Sequence, residues 1–360
     1  MKYALIGCGR IAPNHIKAVL ALPEVTEILL CDINRDSMEQ VLALIPEEKR
    51  ASVKLYSDYK ELIKKDKPTF AAVTTESGKH AEIAIDCINE GIHLLVEKPM
   101  ALSTHDTSRM IKAIETQKTT FAICHQNRFN PAVQLLKEAL DQGRFGKLVN
   151  ATARVLWKRD KDYYDQATWR GTWAQDGGTL MNQCIHAADL LQWVLGGEPE
   201  TVAAMTRRAI RPIEAEDFGS VQIRFKNGAI GILEGTVCCA ENVEGSLSVL
   251  GENGRVVIGG IAFNKLLSWN FKDSHPMDER AQVLDGLDSF NVYGKGHPAL
   301  YRNFIEAMNN RTEPLIGAHE GAKGMKLVLA AYQSQLEGRF IDYDSLDFST
   351  MQCSGMFDVL

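Results

Sequence analysis

Tyr3-Ala4-Leu5-Ile6-Gly7-Cys8-Gly9-Arg10-Ile11-Ala12 reads as a short apolar strand that runs into a glycine-rich turn and then a helix. In Gly7-x-Gly9-x-x-Ala12 the first glycine makes the turn. The second lets the backbone approach a pyrophosphate, and Ala12 lets the helix pack close to the strand. The N-terminus of that helix then faces the phosphates. The next apolar run, 28–31, is closed by Asp32, where an acidic residue holds ribose hydroxyls. Its charge repels a 2′-phosphate, so NAD is expected over NADP. Arg35 nearby pulls the other way, and an aspartate at this place also serves as a helix N-cap.

Working outward, strands are expected at 3–6, 28–31, 70–74, 92–96 and 120–124. Helices are expected from the turn to 22, and at 36–44, 58–64, 80–89 and 103–117. Strands alternating with helices mean a parallel sheet with right-handed crossovers. After about residue 124 the rhythm changes. A helix over 131–140 is followed by a long alternating segment, 148–157, a polar and aromatic stretch, 159–178, and a helix over 180–195. Strand-like runs follow at 201–207, 220–225, 230–237, 246–250 and 255–258, and their spacing predicts a mostly antiparallel sheet. Residues 262–297 read as irregular, and helices close the chain at 299–309 and 319–336. The chain is therefore expected to be α/β, with a dinucleotide-binding domain over 1–124 and an α+β domain over 125–360. The second domain's large sheet is expected to be open on one face, which predicts a homodimer or homotetramer packed through it.

The bulk composition agrees. At 360 residues the chain is long for one domain. Its hydrophobic content of 45% is ordinary for globular proteins. A net charge of −6 argues against a nucleic-acid binder. The eight cysteines are scattered with no Cys-x-x-Cys pair, as in a reducing, cytoplasmic compartment. No signal peptide or membrane-spanning run is expected. No grouping of His, Cys and carboxylate has metal-ligand spacing, so no metal is expected.

Several residues are candidates for chemistry. Glu97-Lys98-Pro99 ends the strand 92–96, and ligands in open α/β sheets sit beyond the carboxyl ends of strands. Lys98 is placed to meet a substrate, with Glu97 orienting it or facing the nicotinamide. Asn182 and His186 are four apart on the expected helix and so share a face. His186 is a candidate general base; a buried, hydrogen-bonded histidine is the plainer alternative. Asp189 shares that face and either orients the ring or bonds to backbone. Tyr163, Tyr164, Trp169, Arg170 and Asp176 precede this helix. Their aromatics suit a sugar or base, and Arg170 suits a phosphate or carboxylate. Arg128, at the domain crossover, either binds a substrate anion or fixes the interdomain angle.

Taken together, the opening GCGRIA with His15, Glu97-Lys98-Pro99, Arg128-Phe129, the run from Gly177-Gly178 to His186, and Gly296-His297-Pro298 resemble the glucose–fructose oxidoreductase/inositol dehydrogenase family. The resemblance spans nearly the whole chain. It implies a Rossmann domain followed by a domain with a large open sheet. It also implies Lys98 and His186 as the catalytic pair. The implied cofactor set is Gly7, Gly9, Arg10, Ile11, Asp32, Thr74, His80, Glu97 and Lys98. The implied substrate set is Arg128, Tyr164, Trp169, Arg170, Asn182 and His186. Residues 163–186 look most like the branch that oxidises carbon 3 of UDP-N-acetylglucosamine-derived uronates. Free-sugar or inositol dehydrogenases, NAD-dependent glycosidases or lyases, and non-catalytic NAD-binding regulators are the alternatives. Inositol dehydrogenases usually carry Asp at the place of Asn182, and the family's usual Thr-Pro-Asn is here Thr74-Thr75-Glu76.

Overall fold

The computed structural model describes residues 1–284 and 296–358. The chain divides into two compact units. The first is Met1–Ala101, His105–His125 and His297–Ala322; the second is Leu102–Thr104, Gln126–Gly296 and Lys323–Leu360. Compared with the expected division at residue 124, the stretch 297–322 groups with the first unit and 102–104 with the second. The reason is packing. The helix His297–Asn310 lies against the helix Ala12–Leu20, with Tyr301 bonded to both Tyr3 and His15.

The first unit holds six parallel strands: β1 (Lys2–Ile6), β2 (Glu27–Cys31), β3 (Lys54–Tyr56), β4 (Phe70–Val73), β5 (His93–Val96) and β6 (Phe121–Ile123). Their order is β3-β2-β1-β4-β5-β6, so the switch of winding direction falls between β1 and β4. β1 and β4 are buried almost throughout, which is why they read as continuous apolar runs. β3 was not expected. It is three residues long, at the sheet edge, with one buried side chain, too short for any periodicity to show.

The second unit carries β7 (Leu148–Leu156), β8 (Pro199–Arg207), β9 (Phe218–Phe225), β10 (Ile230–Thr236), β11 (Glu244–Gly251), β12 (Gly254–Gly259), β13 (Lys265–Phe271) and β14 (Ile341–Asp342). They form one sheet in the order β13-β12-β11-β7-β10-β9-β8-β14. Every neighbouring pair is antiparallel except β7 with β10. The expected irregular stretch 262–297 is corrected: it contains β13 and the helix Met277–Leu284, while 285–295 lie outside the described residues. β13, KLLSWNF, buries only Leu266 fully, so its alternation is weak.

One face of this sheet is covered by the helix Ile185–Leu195, in which all residues but Trp193 are buried. Glycines let it come close: a Cβ on Gly235 of β10 would stand 2.1 Å from Cys184 Sγ. The other face keeps the expected openness within the chain. Thr152, Arg154, Gln222, Arg224, Ile232 and Glu234 there are half-buried or exposed.

Two helix expectations need correction. The helix over 180–195 is two pieces, Thr179–Asn182 and Ile185–Leu195, broken at Gln183 and Cys184. The Cys184 N–H reaches back to Thr179 O rather than Leu180 O, which opens the ladder there. Asn182 and His186 therefore do not share one continuous helical face. The aromatic stretch also contains a short helix, Lys161–Tyr164, capped by Asp160.

Candidate active site

The first unit builds the cofactor cradle. Gly7 has φ +100°, and a Cβ there would stand 2.6 Å from the Thr74 carbonyl carbon, so no side chain fits. Gly9 has no atom within 4 Å of where its Cβ would be, which leaves room for a close backbone approach. Ile11 precedes the helix Ala12–Leu20 as its N-cap residue, with Arg10 exposed beside it. The Asp32 carboxylate accepts from Cys8 N at 2.7 Å and Asn34 N at 2.8 Å, so the turn and the end of β2 are locked together. Arg35 is paired with Glu39 at 2.9 Å. The Asp32 carboxylate suits a free ribose better than a 2′-phosphate.

Thr74 and His80 hold this frame from behind. Thr74 Oγ1 donates to Gly7 O, joining β4 to the turn. His80 is buried, with Nδ1 2.8 Å from Pro99 O and Nε2 3.1 Å from Thr75 O. It braces the loops after β4 and β5, which frame the expected cofactor site.

Glu97 points inward. Its Oε1 lies 3.1 Å from His15 Nε2, and its Oε2 accepts from Lys98 N at 3.1 Å. His15 Nδ1 is 2.7 Å from Tyr301 OH, which is 3.0 Å from Tyr3 OH. Burial opposes the Glu97 charge, but the His15 bond and the nearby Lys98 ammonium outweigh it and hold the carboxyl below its usual range. Burial, then His15, pushes the His297 imidazole down to about 4, so it sits neutral against His15. Of the two roles expected for Glu97, this geometry fits orienting Lys98, whose side chain is half-buried. His15, Glu97 and Cys124 also bring potential ligand atoms within 4.8 Å, a grouping that sequence spacing does not reveal. Both ring nitrogens and both carboxylate oxygens already hold hydrogen bonds, and burial keeps the Cys124 thiol protonated. The trio fits a hydrogen-bonded brace better than an ion site.

The second unit brings Tyr163, Tyr164, Asp176, Gly178, Asn182 and Gln183 together. Asp176 accepts from Gly171 N at 2.7 Å and from Asn182 Nδ2. Gln183 Nε2 donates to Tyr163 OH at 3.0 Å and to Asn182 Oδ1 at 2.9 Å. Arg170 lies over Tyr163 at 4.3 Å and over Trp169 at 4.8 Å, so the expected aromatic and guanidinium groups form one cluster. His186 is the second residue of the helix Ile185–Leu195 and is buried. Asp189 has a third role beside the two expected ones. It takes Arg128, with Nη2 at 2.6 Å and Nε at 2.8 Å. Arg128 is fully buried and stacks on Trp193 at 4.7 Å, a geometry that fits the structural one of its two expected roles. Sequence reasoning passed over Gln183, which bonds Asn182, and Glu216 and Tyr332, which bond the backbone just before it. Glu216-Asp217, two acids together at the start of a strand, was the available signal.

Residues 1–125 match the oxidoreductase family with an NAD-binding Rossmann fold, and residues 137–343 match that family's C-terminal alpha/beta domain. The chain belongs to the Gfo/Idh/MocA oxidoreductase family. This Gfo/Idh/MocA protein is 36% identical to the WlbA dehydrogenase of Chromobacterium violaceum, solved with NADH and UDP-GlcNAcA; 95% of each chain is covered, with a TM-score of 0.87. It is also 36% identical to the WlbA dehydrogenase of Bordetella pertussis, solved with the same two ligands, over 95% of this chain and 97% of the other, with a TM-score of 0.89. The myo-inositol 2-dehydrogenase of Thermotoga maritima is 23% identical over 96% of this chain and 99% of its own. The Gfo/Idh/MocA protein is thus an NAD-dependent oxidoreductase, and the cradle at Gly7, Gly9 and Asp32 fits that cofactor. Among the described residues no helix is long and apolar enough to cross a membrane.

Proposed function

We propose that this protein oxidises a secondary hydroxyl of a UDP-linked sugar, with carbon 3 of a UDP-N-acetylglucosamine-derived uronate as the substrate position. The observation that carries this reading is the 36% identity, over nearly the full chain, to two dehydrogenases solved with NADH and UDP-GlcNAcA. The cluster of Tyr163, Arg170, Asp176 and Asn182 supports it, because aromatic faces, a guanidinium and a side-chain amide are groups that recognise a sugar nucleotide. Bound NAD supplies the hydride acceptor. His186 takes the hydroxyl proton as general base. Lys98 donates a hydrogen bond to the same oxygen and stabilises its developing negative charge. Asn182, held by Asp176 and Gln183, orients the ring.

Thermal melts in the presence of NAD test this across UDP-GlcNAcA, UDP-GlcNAc, free sugars and inositols. A ligand at about 100 times its Kd adds about 2.7 kcal/mol of stability. UDP-GlcNAcA is expected to raise the melting point and to yield NADH. A rise with inositols or free sugars alone would replace the sugar-nucleotide reading. Cleavage of the sugar without NADH accumulation would point to the glycosidase or lyase class.

We further propose that the open face of the eight-stranded sheet joins copies of the chain. Met205, Ile230 and Leu250 are exposed on it, beside Arg154, which bridges Glu234 at 3.1 Å and Glu244 at 3.2 Å. Light scattering should give a mass of two or four times 40.0 kDa, and Arg154→Glu should lower it. A monomeric wild type would end this proposal.

A further inference from the structure

The piece Thr179–Asn182 is four residues long, far too short to hold itself helical in water. The first amides of any helix lack partners within it. Here two residues from distant parts of the second unit supply them all. Gly178 N donates to Tyr332 OH at 3.1 Å, and Thr179 N to Glu216 O at 3.1 Å. Leu180 N donates to Glu216 Oε1 at 2.8 Å, and Met181 N to Tyr332 OH at 3.2 Å. Tyr332 OH in turn donates to Glu216 Oε1 at 2.9 Å, which ties the two clamping groups together. Both clamping residues are fully buried.

The next residue after this clamped run is Asn182, and His186 is the second residue of the helix that follows. We infer that Glu216 and Tyr332 are positioning residues that set where Asn182 and His186 stand, by fixing the amides of residues 178–181. The inference rests on the roles given above to Asn182 and His186.

Three features support it. A Cβ on Gly178 would stand 1.4 Å from Glu216 Oε2, so glycine is required there for the carboxyl to lie against the turn. Glu216 Oε2 holds no hydrogen bond, so the group works through Oε1 alone. Burial, with the nearby Asp176 carboxylate adding to it, pushes the Glu216 carboxyl up to about 8, so it stays uncharged at neutral pH. Tyr164, Tyr332 and Cys353 are the other titratable groups that sense it. An uncharged carboxyl whose working atom is a carbonyl-like oxygen has glutamine as its isostere.

The test compares Glu216→Gln, Glu216→Ala and Tyr332→Phe in the full chain. Glu216→Gln is expected to keep kcat within about threefold of wild type, since its amide oxygen still accepts from Leu180 N and Tyr332 OH. Glu216→Ala and Tyr332→Phe should lower kcat by about tenfold or more, with the Kd for NADH unchanged because the cradle lies in the other unit. If Glu216→Ala does not fold, Tyr332→Phe carries the comparison. The second readout needs no substrate: the His186 ring resonance in histidine-labelled protein, identified by its loss in His186→Gln. It should move in Tyr332→Phe and Glu216→Ala and stay in place in Glu216→Gln. An unmoved His186 resonance in both disruptive variants would overturn the inference. So would a Gln variant as impaired as the Ala variant. If the wild type oxidises no sugar but the resonance still moves, the clamp stands and the reaction assignment falls.

Discussion

Lys98→Met and His186→Asn should each lower kcat on the proposed UDP-sugar substrate by about 10²–10⁴-fold, the range general acid–base groups contribute. His186 has to be neutral to accept the hydroxyl proton, and asparagine keeps a polar group of similar reach without a base. Lys98 acts on the charge that develops on the oxygen, so its loss should appear in kcat more than in KM. In the proposed mechanism both groups serve one oxygen, so the double variant should be little worse than the more damaging single one. NADH binding should persist in His186→Asn, since the glycine turn and Asp32 are untouched. Steady-state kinetics with cofactor titration by fluorescence checks this. Near-wild-type turnover in both single variants would remove these residues from the reaction.

Arg128→Ala should destabilise the protein by about 3–5 kcal/mol, the usual cost of removing one partner from a buried ion pair. Arg128 has no solvent exposure, and Asp189 is 1% exposed. Losing the guanidinium leaves the Asp189 carboxylate buried without its bidentate partner and opens a gap beside Trp193. Changing both residues to leucine should recover a large part of the loss, because a buried pair replaced by apolar groups is often close to neutral. Urea unfolding of the two singles and the double forms the needed cycle. A raised substrate KM with unchanged stability in Arg128→Ala would instead restore Arg128 as an anion ligand.

Arg128 also shows where reading the sequence stops. Its two open roles could not be separated without knowing that Asp189 faces it. The same holds for Glu97. Its position after β5 follows from the strand pattern, but whether it turns toward a nicotinamide or toward His15 depends on how Tyr301 packs from a helix some two hundred residues later. The break at Gln183–Cys184 is a third case. The apolar pattern of 180–195 is continuous, and the interruption comes from contacts that outweigh propensity: the Cys184 sulfur against Gly235, and the clamp from Glu216 and Tyr332.

What the chain alone determined is local in origin. The turn at Gly7 and Gly9, the alternation of strand and helix, Asp32 closing β2 and Lys98 following β5 all lie within a few residues of the strand that places them. Backbone sterics and apolar periodicity act over that distance, so the parallel sheet, the NAD cradle and the place of the lysine were legible at once. The braces and clamps were decided only by the tertiary structure. Tyr3–Tyr301–His15–Glu97, Arg128–Asp189 and Tyr332–Glu216 each join residues from separate segments of the chain. A buried polar group must find a partner or lose about 1–3 kcal/mol, but nothing in the linear order says which distant residue will answer it.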